Sequence, residues 1–211
     1  MTLSLCERLD SRRMNYPARL AYIIDDIERD NQTSIDHVFR IANGLIAAGI
    51  GKGDRIAVLS RNSVECAEAM TGILCSGASM VPVPNTATPE AQRNMLLDSA
   101  VKGFFVSDQY RDAALAHFMD IPSIRGDLRF ALETACEQFH DHTAWATNFD
   151  VNSPNVQMAA REEYDILYSS GTTGIPKGII HSHLARNLLI SGFEKMEFEG
   201  GVVLTSTPLY S

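Results

Sequence analysis

A segment near the carboxyl end of the chain is unusually rich in glycine and hydroxyl residues. It reads Tyr168-Ser-Ser-Gly-Thr-Thr-Gly-Ile-Pro-Lys-Gly178, and seven of its eleven residues are glycine, serine or threonine. Glycine has no Cβ, so backbone N–H groups in this segment can approach a ligand closely and form a nest for an anion. The lysine adds a positive charge suited to a phosphate oxygen. The segment therefore predicts a polyphosphate site built from Ser169, Ser170, Gly171, Thr172, Thr173, Gly174 and Lys177.

Three other interpretations compete with a phosphate loop. A hairpin that only turns between two strands is one, but such hairpins rarely combine this density of donors with a lysine. A Walker A loop runs from Gly-Lys-Ser/Thr into a helix, whereas Lys177 follows Pro176 and precedes the strand-like Gly178-Ile-Ile180. A dinucleotide fingerprint follows a strand, whereas Gly49-Ile-Gly-Lys-Gly53 follows a helix. The sequence thus favours a phosphate loop between two strands and disfavours a P-loop ATPase.

Short apolar strands alternate with helices along most of the chain. This alternation predicts an α/β fold with a mostly parallel sheet flanked by helices. The pattern fades between 122 and 158, and a polar stretch places a possible internal boundary near 148–160. The predicted helices are 34–49, 63–78, 88–99, 112–119 and 183–191, and the predicted strands are 55–59, 80–83, 103–107, 165–168, 178–181 and 201–206.

Caps and stops mark the ends of several predicted helices. Thr33 or Ser34 can cap the first helix, and Gly49 suits its carboxyl end. Ser63 can cap the second helix, and Thr88 followed by a proline can begin the third. The same logic makes Ser182 the cap of the last helix.

Composition excludes several classes of protein. The 211 residues carry a net charge of −8, which argues against broad nucleic-acid binding and against a polybasic membrane anchor. The first 17 residues are too polar for a signal peptide, and no apolar run is long enough for a membrane span. The four cysteines form no CxxC pair, so we expect free thiols in a reducing cytoplasm.

Two histidine pairs invite a metal hypothesis. His140-Asp-His142 and His181-Ser-His183 each place two imidazoles at strand spacing, but no third ligand lies close in sequence. We therefore expect structural or solvated histidines. Ser169 and Ser170 do not lie in a G-x-S-x-G elbow, which disfavours a hydrolase nucleophile.

The segment from Ser169 to Lys177 resembles the phosphate-loop signature of the adenylate-forming superfamily, which contains acyl-CoA synthetases, peptide-synthetase adenylation domains and beetle luciferases. Further blocks resemble that family in the same order: Gly51-Lys-Gly-Asp-Arg-Ile-Ala57, Asn62, Gly77-Ala78, Val81-Pro82, Ser182-His183 and Thr207-Pro-Leu-Tyr210. Asn187 comes two residues late for the family's T-H-x-N start, and Ser211 stands where the family often has a histidine. No role is carried onto either residue.

The resemblance implies an enzyme that activates a carboxylic acid with Mg·ATP. An acyl-adenylate and pyrophosphate would form first, and a thiol, often CoA, would then take the acyl group. Lys177 is the implied catalytic residue, and Thr172 is the residue implied to lie near Mg²⁺. The strand end at Thr207–Tyr210 resembles the one that leads into the family's acyl pocket. The resemblance does not decide which acid is used, or whether CoA or a carrier-protein thiol accepts it.

Family members are much longer than this chain. We expect residues 1–211 to be an N-terminal fragment of the AMP-binding domain, because the ribose-binding aspartate, the acidic Mg²⁺ ligand and the small C-terminal domain all lie downstream in the family. Such a fragment should be inactive alone, and its exposed apolar surface should favour a homodimer. The alternative is a non-catalytic nucleotide- or acyl-binding module, or one half of a split protein.

Overall fold

The amino-terminal residues form a helix and a small hairpin that the sequence pattern does not indicate. The computed structural model describes residues 4–169, 176–194, 204–205 and 207–209. Helix α1 (Leu5–Asn15) begins with a capping box, in which Ser4 and Glu7 each accept a hydrogen bond from the other's backbone N–H. Strands β1 (Leu20–Ile24) and β2 (Ile27–Asp30) pair antiparallel. Only one residue of α1 is buried, so the helix has no apolar stripe to reveal it in the sequence.

The remaining helices of the described residues alternate with strands. They are α2 (Asn31–Ala47), α3 (Val64–Cys75), α4 (Pro89–Asp98), α5 (Asp108–His117), α6 (His142–Ala146) and α7 (His183–Glu194). Ser63 and Thr88 cap α3 and α4 as predicted, each accepting a backbone N–H bond in the first turn. The predicted cap of α2 is wrong: Asp30, and not Thr33 or Ser34, accepts the capping bond, from the backbone N–H of Thr33. The helix therefore begins three residues earlier than predicted.

In the part of the chain that the structure describes, seven strands form one sheet. They are β3 (Arg55–Leu59), β4 (Ser79–Pro82), β5 (Gly103–Val106), β6 (Arg129–Ala131), β7 (His140–Asp141), β8 (Glu163–Ser169) and β9 (Lys177–Ser182). Their order is β7-β6-β5-β3-β4-β8-β9, and every neighbouring pair is parallel except β8 and β9. The predicted mostly parallel α/β sheet is confirmed.

Apolar clusters cover both faces of this sheet. Along β3, Ile56 packs with α2, α3 and α6, while the next residue, Ala57, packs with α4 and α5 on the other face. This alternation follows from the two-residue period of a strand. A close approach of α2 to α3 depends on Gly72, where a Cβ atom would lie 2.7 Å from Cγ2 of Ile41. The central strands of the sheet therefore lie between two helical layers.

The structure corrects the prediction that regular structure fades between 122 and 158. A 3₁₀ turn at 126–128, the strands β6 and β7 and the helix α6 all lie in this region. These elements have only two to five residues, too few to show a period in the sequence. Helix α5 also begins before the predicted 112, and α3 ends at Cys75 rather than at 78, because Gly77 has a positive φ of +84°. Gly49, at φ +79°, ends α2 as predicted. The strand predicted at 201–206 lies mostly outside the described residues, and the boundary near 148–160 stays a prediction.

The carboxyl ends of the six parallel strands meet at one edge of the sheet. Strand β3 has β4 on one side and β5 on the other, so the chain crosses back over β3 between them. In open α/β sheets, ligands bind at the carboxyl edge near such a reversal. The phosphate-loop segment leaves the sheet at this same edge, because it follows β8.

Candidate functional site

The predicted phosphate loop connects the two strands of the β8–β9 hairpin. Ser169 and Lys177 face each other as the last pair of this hairpin, next to the pair formed by Tyr168 and Gly178. The two strands predicted to flank the loop are therefore present, each extending somewhat beyond its predicted bounds. The predicted binding residues Ser170, Gly171, Thr172, Thr173 and Gly174 lie outside the described residues.

Lys177 is an exposed cation with no ionic partner among the described residues. Within the parts of the chain that the structure describes, no carboxylate lies within ion-pair distance of its Nζ atom, whereas Lys52 and Lys102 pair with Glu162 and Asp54. Ser169 across the hairpin is also exposed. The ammonium group is therefore free to meet an anion at the mouth of the hairpin.

Tyr168 fixes the loop end of β8 to the neighbouring helix α4. Its hydroxyl donates to Oδ2 of Asp98 at 2.7 Å and lies 3.1 Å from the carbonyl oxygen of Met95. Burial, followed by the hydrogen bond to Asp98, raises the pKa of the Tyr168 hydroxyl well above its ordinary value. The phenol is therefore a neutral hydrogen-bond donor at physiological pH and acts as a structural support.

The opposite end of β8 is held by an ion pair across the sheet. The guanidinium of Arg55 donates from Nε and a terminal nitrogen to the two carboxylate oxygens of Glu163, at 2.7 and 2.8 Å. Such a bidentate geometry is the strongest form of this pair. The bond lowers the pKa of Glu163 and raises the pKa of Arg55. Strand β8 is thus fixed at both ends before the loop begins.

A second ionic group joins the hairpin to α7, and the sequence analysis missed it. Asp165 is only 2% exposed and lies 2.6 Å from Nδ1 of His181. Its other oxygen accepts a hydrogen bond from Nε of Arg186 at 2.8 Å. These residues belong to β8, β9 and α7, so no single-element pattern in the sequence could have grouped them. The buried carboxylate is neutralised by the arginine and orients the histidine.

Asn62 connects the carboxyl edge of the sheet to the segment at 207–209. Its Nδ2 donates to the carbonyl oxygen of Thr207 at 3.0 Å, and its Oδ1 accepts from the backbone N–H of Leu209 at 2.9 Å. The family resemblance pointed separately to Asn62 and to Thr207–Tyr210, but it gave no contact between them.

Of the other histidines, His142 and His183 have structural contacts, whereas His140 is exposed. His142 is buried at the start of α6 and its Nδ1 lies 3.0 Å from the carbonyl oxygen of Ala131. Burial, assisted by the nearby His37 ring, lowers the pKa of the His142 imidazole to about 4. His183 packs edge-on against Tyr164. Among the described residues, no group of three or more His, Cys, Asp or Glu side chains is arranged to hold a metal ion.

The four cysteines are free, as the sequence predicted. Cys6, Cys66 and Cys75 are buried, and burial raises the pKa of the Cys66 thiol to about 11. Within the described part of the chain, every helix is too short or too polar to cross a bilayer.

Comparisons with known proteins agree with this architecture. Residues 14–211 match the family described as AMP-binding enzyme. The chain is 32% identical over 163 residues to acetyl-coenzyme A synthetase of Pseudoalteromonas translucida (strain TAC 125), covering 70% of this chain and 25% of that protein. It is 28% identical over 144 residues to surfactin synthase subunit 2 of Bacillus subtilis (strain 168), covering 68% of this chain and 4% of that protein.

A solved relative shares the fold over most of the chain. The inhibitor-bound N-terminal domain of FACL13 from Mycobacterium tuberculosis superposes with a TM-score of 0.70 at 26% identity, covering 86% of this chain and 45% of that one. The α/β sheet, the hairpin with its phosphate-loop segment and the sequence match agree, and the chain belongs to the AMP-binding enzyme family. It spans about a quarter of the acetyl-coenzyme A synthetase that it resembles.

Proposed function

We propose that this chain is the N-terminal part of an ATP-dependent acid:CoA ligase and supplies its phosphate-binding hairpin. The proposed enzyme transfers the adenylyl group of ATP to a carboxylic acid, releases pyrophosphate, and passes the acyl group to the thiol of CoA. The observation that carries this proposal is the exposed Lys177, which has no carboxylate partner among the described residues and stands opposite Ser169. A free cation at the mouth of a hydroxyl- and glycine-rich loop suits a polyphosphate.

The chemistry explains why such a hairpin is needed. When the carboxylate oxygen attacks the α-phosphorus, negative charge grows on the leaving pyrophosphate. We assign its neutralisation to Lys177 and to the backbone N–H groups and hydroxyls of Ser169, Ser170, Gly171, Thr172, Thr173 and Gly174. Bound Mg²⁺ would supply further positive charge, with Thr172 as a protein ligand beside phosphate oxygens and waters.

A second candidate function follows from the share of its relatives that the chain spans. A region matching 25% of acetyl-coenzyme A synthetase could act as a non-catalytic nucleotide- or acyl-binding module, or as half of a split protein. It would use the same hairpin to bind ATP. Acid-dependent exchange of labelled pyrophosphate into ATP by this chain would exclude the second candidate.

The test of the proposed function is the affinity for Mg·ATP, measured by isothermal titration calorimetry on wild type and Lys177→Ala. A hydrogen bond to a charged group contributes about 1.5–3 kcal/mol, so the substitution should weaken binding about 10- to 100-fold. Lys102→Ala is the matched control. Lys102 precedes β5, at the amino edge of the sheet, and is paired with Asp54, so its loss should leave the affinity unchanged.

Two results would contradict the proposal. If wild type does not bind Mg·ATP, the hairpin is not a phosphate site in this chain, and only an acyl-binding module or half of a split protein is left. If Lys177→Ala and Lys102→Ala bind equally well, the nucleotide does not use this lysine.

We also propose a partner and a compartment for the chain. The exposed face of α7 carries Leu184, Ala185, Leu188 and Leu189, a stripe of apolar side chains with helical spacing. Contiguous apolar patches of this kind favour association, so the proposed partner is a second copy of the chain. Four free cysteines fit the reducing cytoplasm.

A further inference from the structure

Asn62 uses both polar atoms of its side chain on one distant segment. Its amide nitrogen donates to Thr207 and its amide oxygen accepts from Leu209, although about 145 residues separate them in sequence. A carboxamide has one strong acceptor and two donors, so it can bond a backbone segment as a neighbouring strand would. The spacing of the two partners, residues i and i+2, places both bonds on one edge of the 207–209 segment.

A second contact fixes the same segment. The side chain of Leu209 packs on an apolar cluster and lines a small cavity of about 10 Å³. That space has room for about one water molecule, so little void is left between Leu209 and the residues around it. Val58, Ser60, Asn62, Cys66, Met70 and Pro82 form the rest of the cavity wall. The segment is therefore held by a polar and by an apolar contact side by side.

The position of this contact relates it to the phosphate-binding hairpin. Asn62 follows β3, and the loop follows β8, with β4 between the two strands. Neighbouring strands lie about 4.8 Å apart, so β3 and β8 run about 10 Å apart in the sheet. The acid in an adenylating reaction must meet the α-phosphate, so any segment that guides the acid must keep a fixed distance from the loop.

We propose that Asn62 is a positioning residue, which fixes the segment at 207–209 beside the phosphate-binding hairpin and so sets the direction from which the acyl substrate reaches the nucleotide. This rests on the proposed function for the identity of the substrate. The positioning itself rests on the two hydrogen bonds and the Leu209 contact.

The test is amide hydrogen exchange of the 211-residue chain, resolved at Leu209 by mass spectrometry. Loss of both bonds in Asn62→Ala should speed exchange of the Leu209 amide about tenfold or more. Asn62→Asp keeps an acceptor for this amide and loses the donor to Thr207, so its rate should lie between wild type and the alanine variant. If Asn62 only filled space, the Leu209 amide would exchange at the same rate in Asn62→Ala and Asn62→Asp.

Asn43→Ala is the matched control, because the Asn43 amide donates to the carbonyl oxygens of Asp150 and Asn152 in another loop. Asn43→Ala should leave the exchange rate of the Leu209 amide unchanged. A Leu209 exchange rate that is the same in wild type and Asn62→Ala would overturn the proposal.

Alkylation of Cys66 by iodoacetamide gives a second readout. Cys66 lines the cavity under Leu209, and burial raises its pKa to about 11, so it should react slowly in wild type. Opening of the segment in Asn62→Ala should speed its alkylation, while Cys6, in a different cluster, should keep its rate. Equal acceleration of both thiols would indicate general unfolding and contradict a local role. Neither experiment uses nucleotide, so the result is independent of the Lys177 titration.

Discussion

Replacing His142 with asparagine should flatten the loss of stability that the protein shows in mild acid. Burial lowers the pKa of the folded imidazole to about 4, whereas an unfolded histidine titrates near 6.5. Below pH 6.5 the unfolded chain binds a proton that the folded chain does not bind. Stability therefore falls as the pH drops from 6.5 towards 4.

The size of the effect follows from the same two pKa values. The difference between the two pKa values corresponds to a loss of about 3 kcal/mol in the free energy of unfolding. About 2 kcal/mol of this loss occurs between pH 7.5 and pH 5. The groups that act on His142 besides burial are His37, the carbonyl of Ala131, Asp141 and Glu65. Asparagine has no titrating group and can still donate to the Ala131 carbonyl, so the variant should lack this contribution.

The assay is urea unfolding followed by circular dichroism at several pH values between 5 and 7.5. The free energy of unfolding in water comes from linear extrapolation, and wild type is compared with His142→Asn. His117→Asn is the control, because His117 lies exposed in the last turn of α5. In the control, the free energy of unfolding should depend on pH as it does in wild type. If His142→Asn also keeps that pH dependence, the imidazole is not held neutral in the folded protein and the reasoning is refuted.

Two further predictions concern association and packing. Leu188 is 66% exposed on α7 and should contribute to self-association. Leu188→Glu should therefore lower the apparent mass of concentrated protein in light scattering. Leu97→Glu on α4 is the control and should leave that mass unchanged, although Leu97 is 43% exposed in wild type. A concentration-independent monomer in wild type would contradict this. Gly72→Ala should destabilise the fold by about 1–3 kcal/mol in urea unfolding, because the new methyl would lie 2.7 Å from Ile41. Gly126→Ala, where the new methyl has open space, should change little, and equal effects of the two would refute the overlap.

The parts of the fold that could be predicted from the sequence are those with a local pattern. Helix α2 shows a full apolar stripe, and Ser63 and Thr88 stand where caps are expected. The flanking strands of the predicted phosphate loop are also present, whereas the role of its glycine, hydroxyl and lysine residues stays a prediction. By contrast, β6 pairs with β5 through three residues and with β7 through two. Strands this short are defined only by their neighbours in the sheet.

The parts that could not be predicted are contacts between distant residues. Asp165, His181 and Arg186 come together because three elements cross at one point. Asn62 was noted as part of a family block, yet its partners lie about 145 residues later. A single polar residue gives no periodic signal, so its role depends on the folded neighbours that it meets.

The ion pair between Arg55 and Glu163 has a consequence for the order of folding. These residues are 108 positions apart, and strand β8 joins the sheet through β4 rather than through a strand near it in sequence. Closing such a long loop loses conformational entropy before any contact repays it, so pairings of this kind form late and slowly. During synthesis, β3, β4 and β5 can assemble while β8 is still unmade. The hairpin that carries Lys177 is therefore expected to be the last part of the sheet to form, and the proposed nucleotide site would exist only once the rest of the sheet has folded.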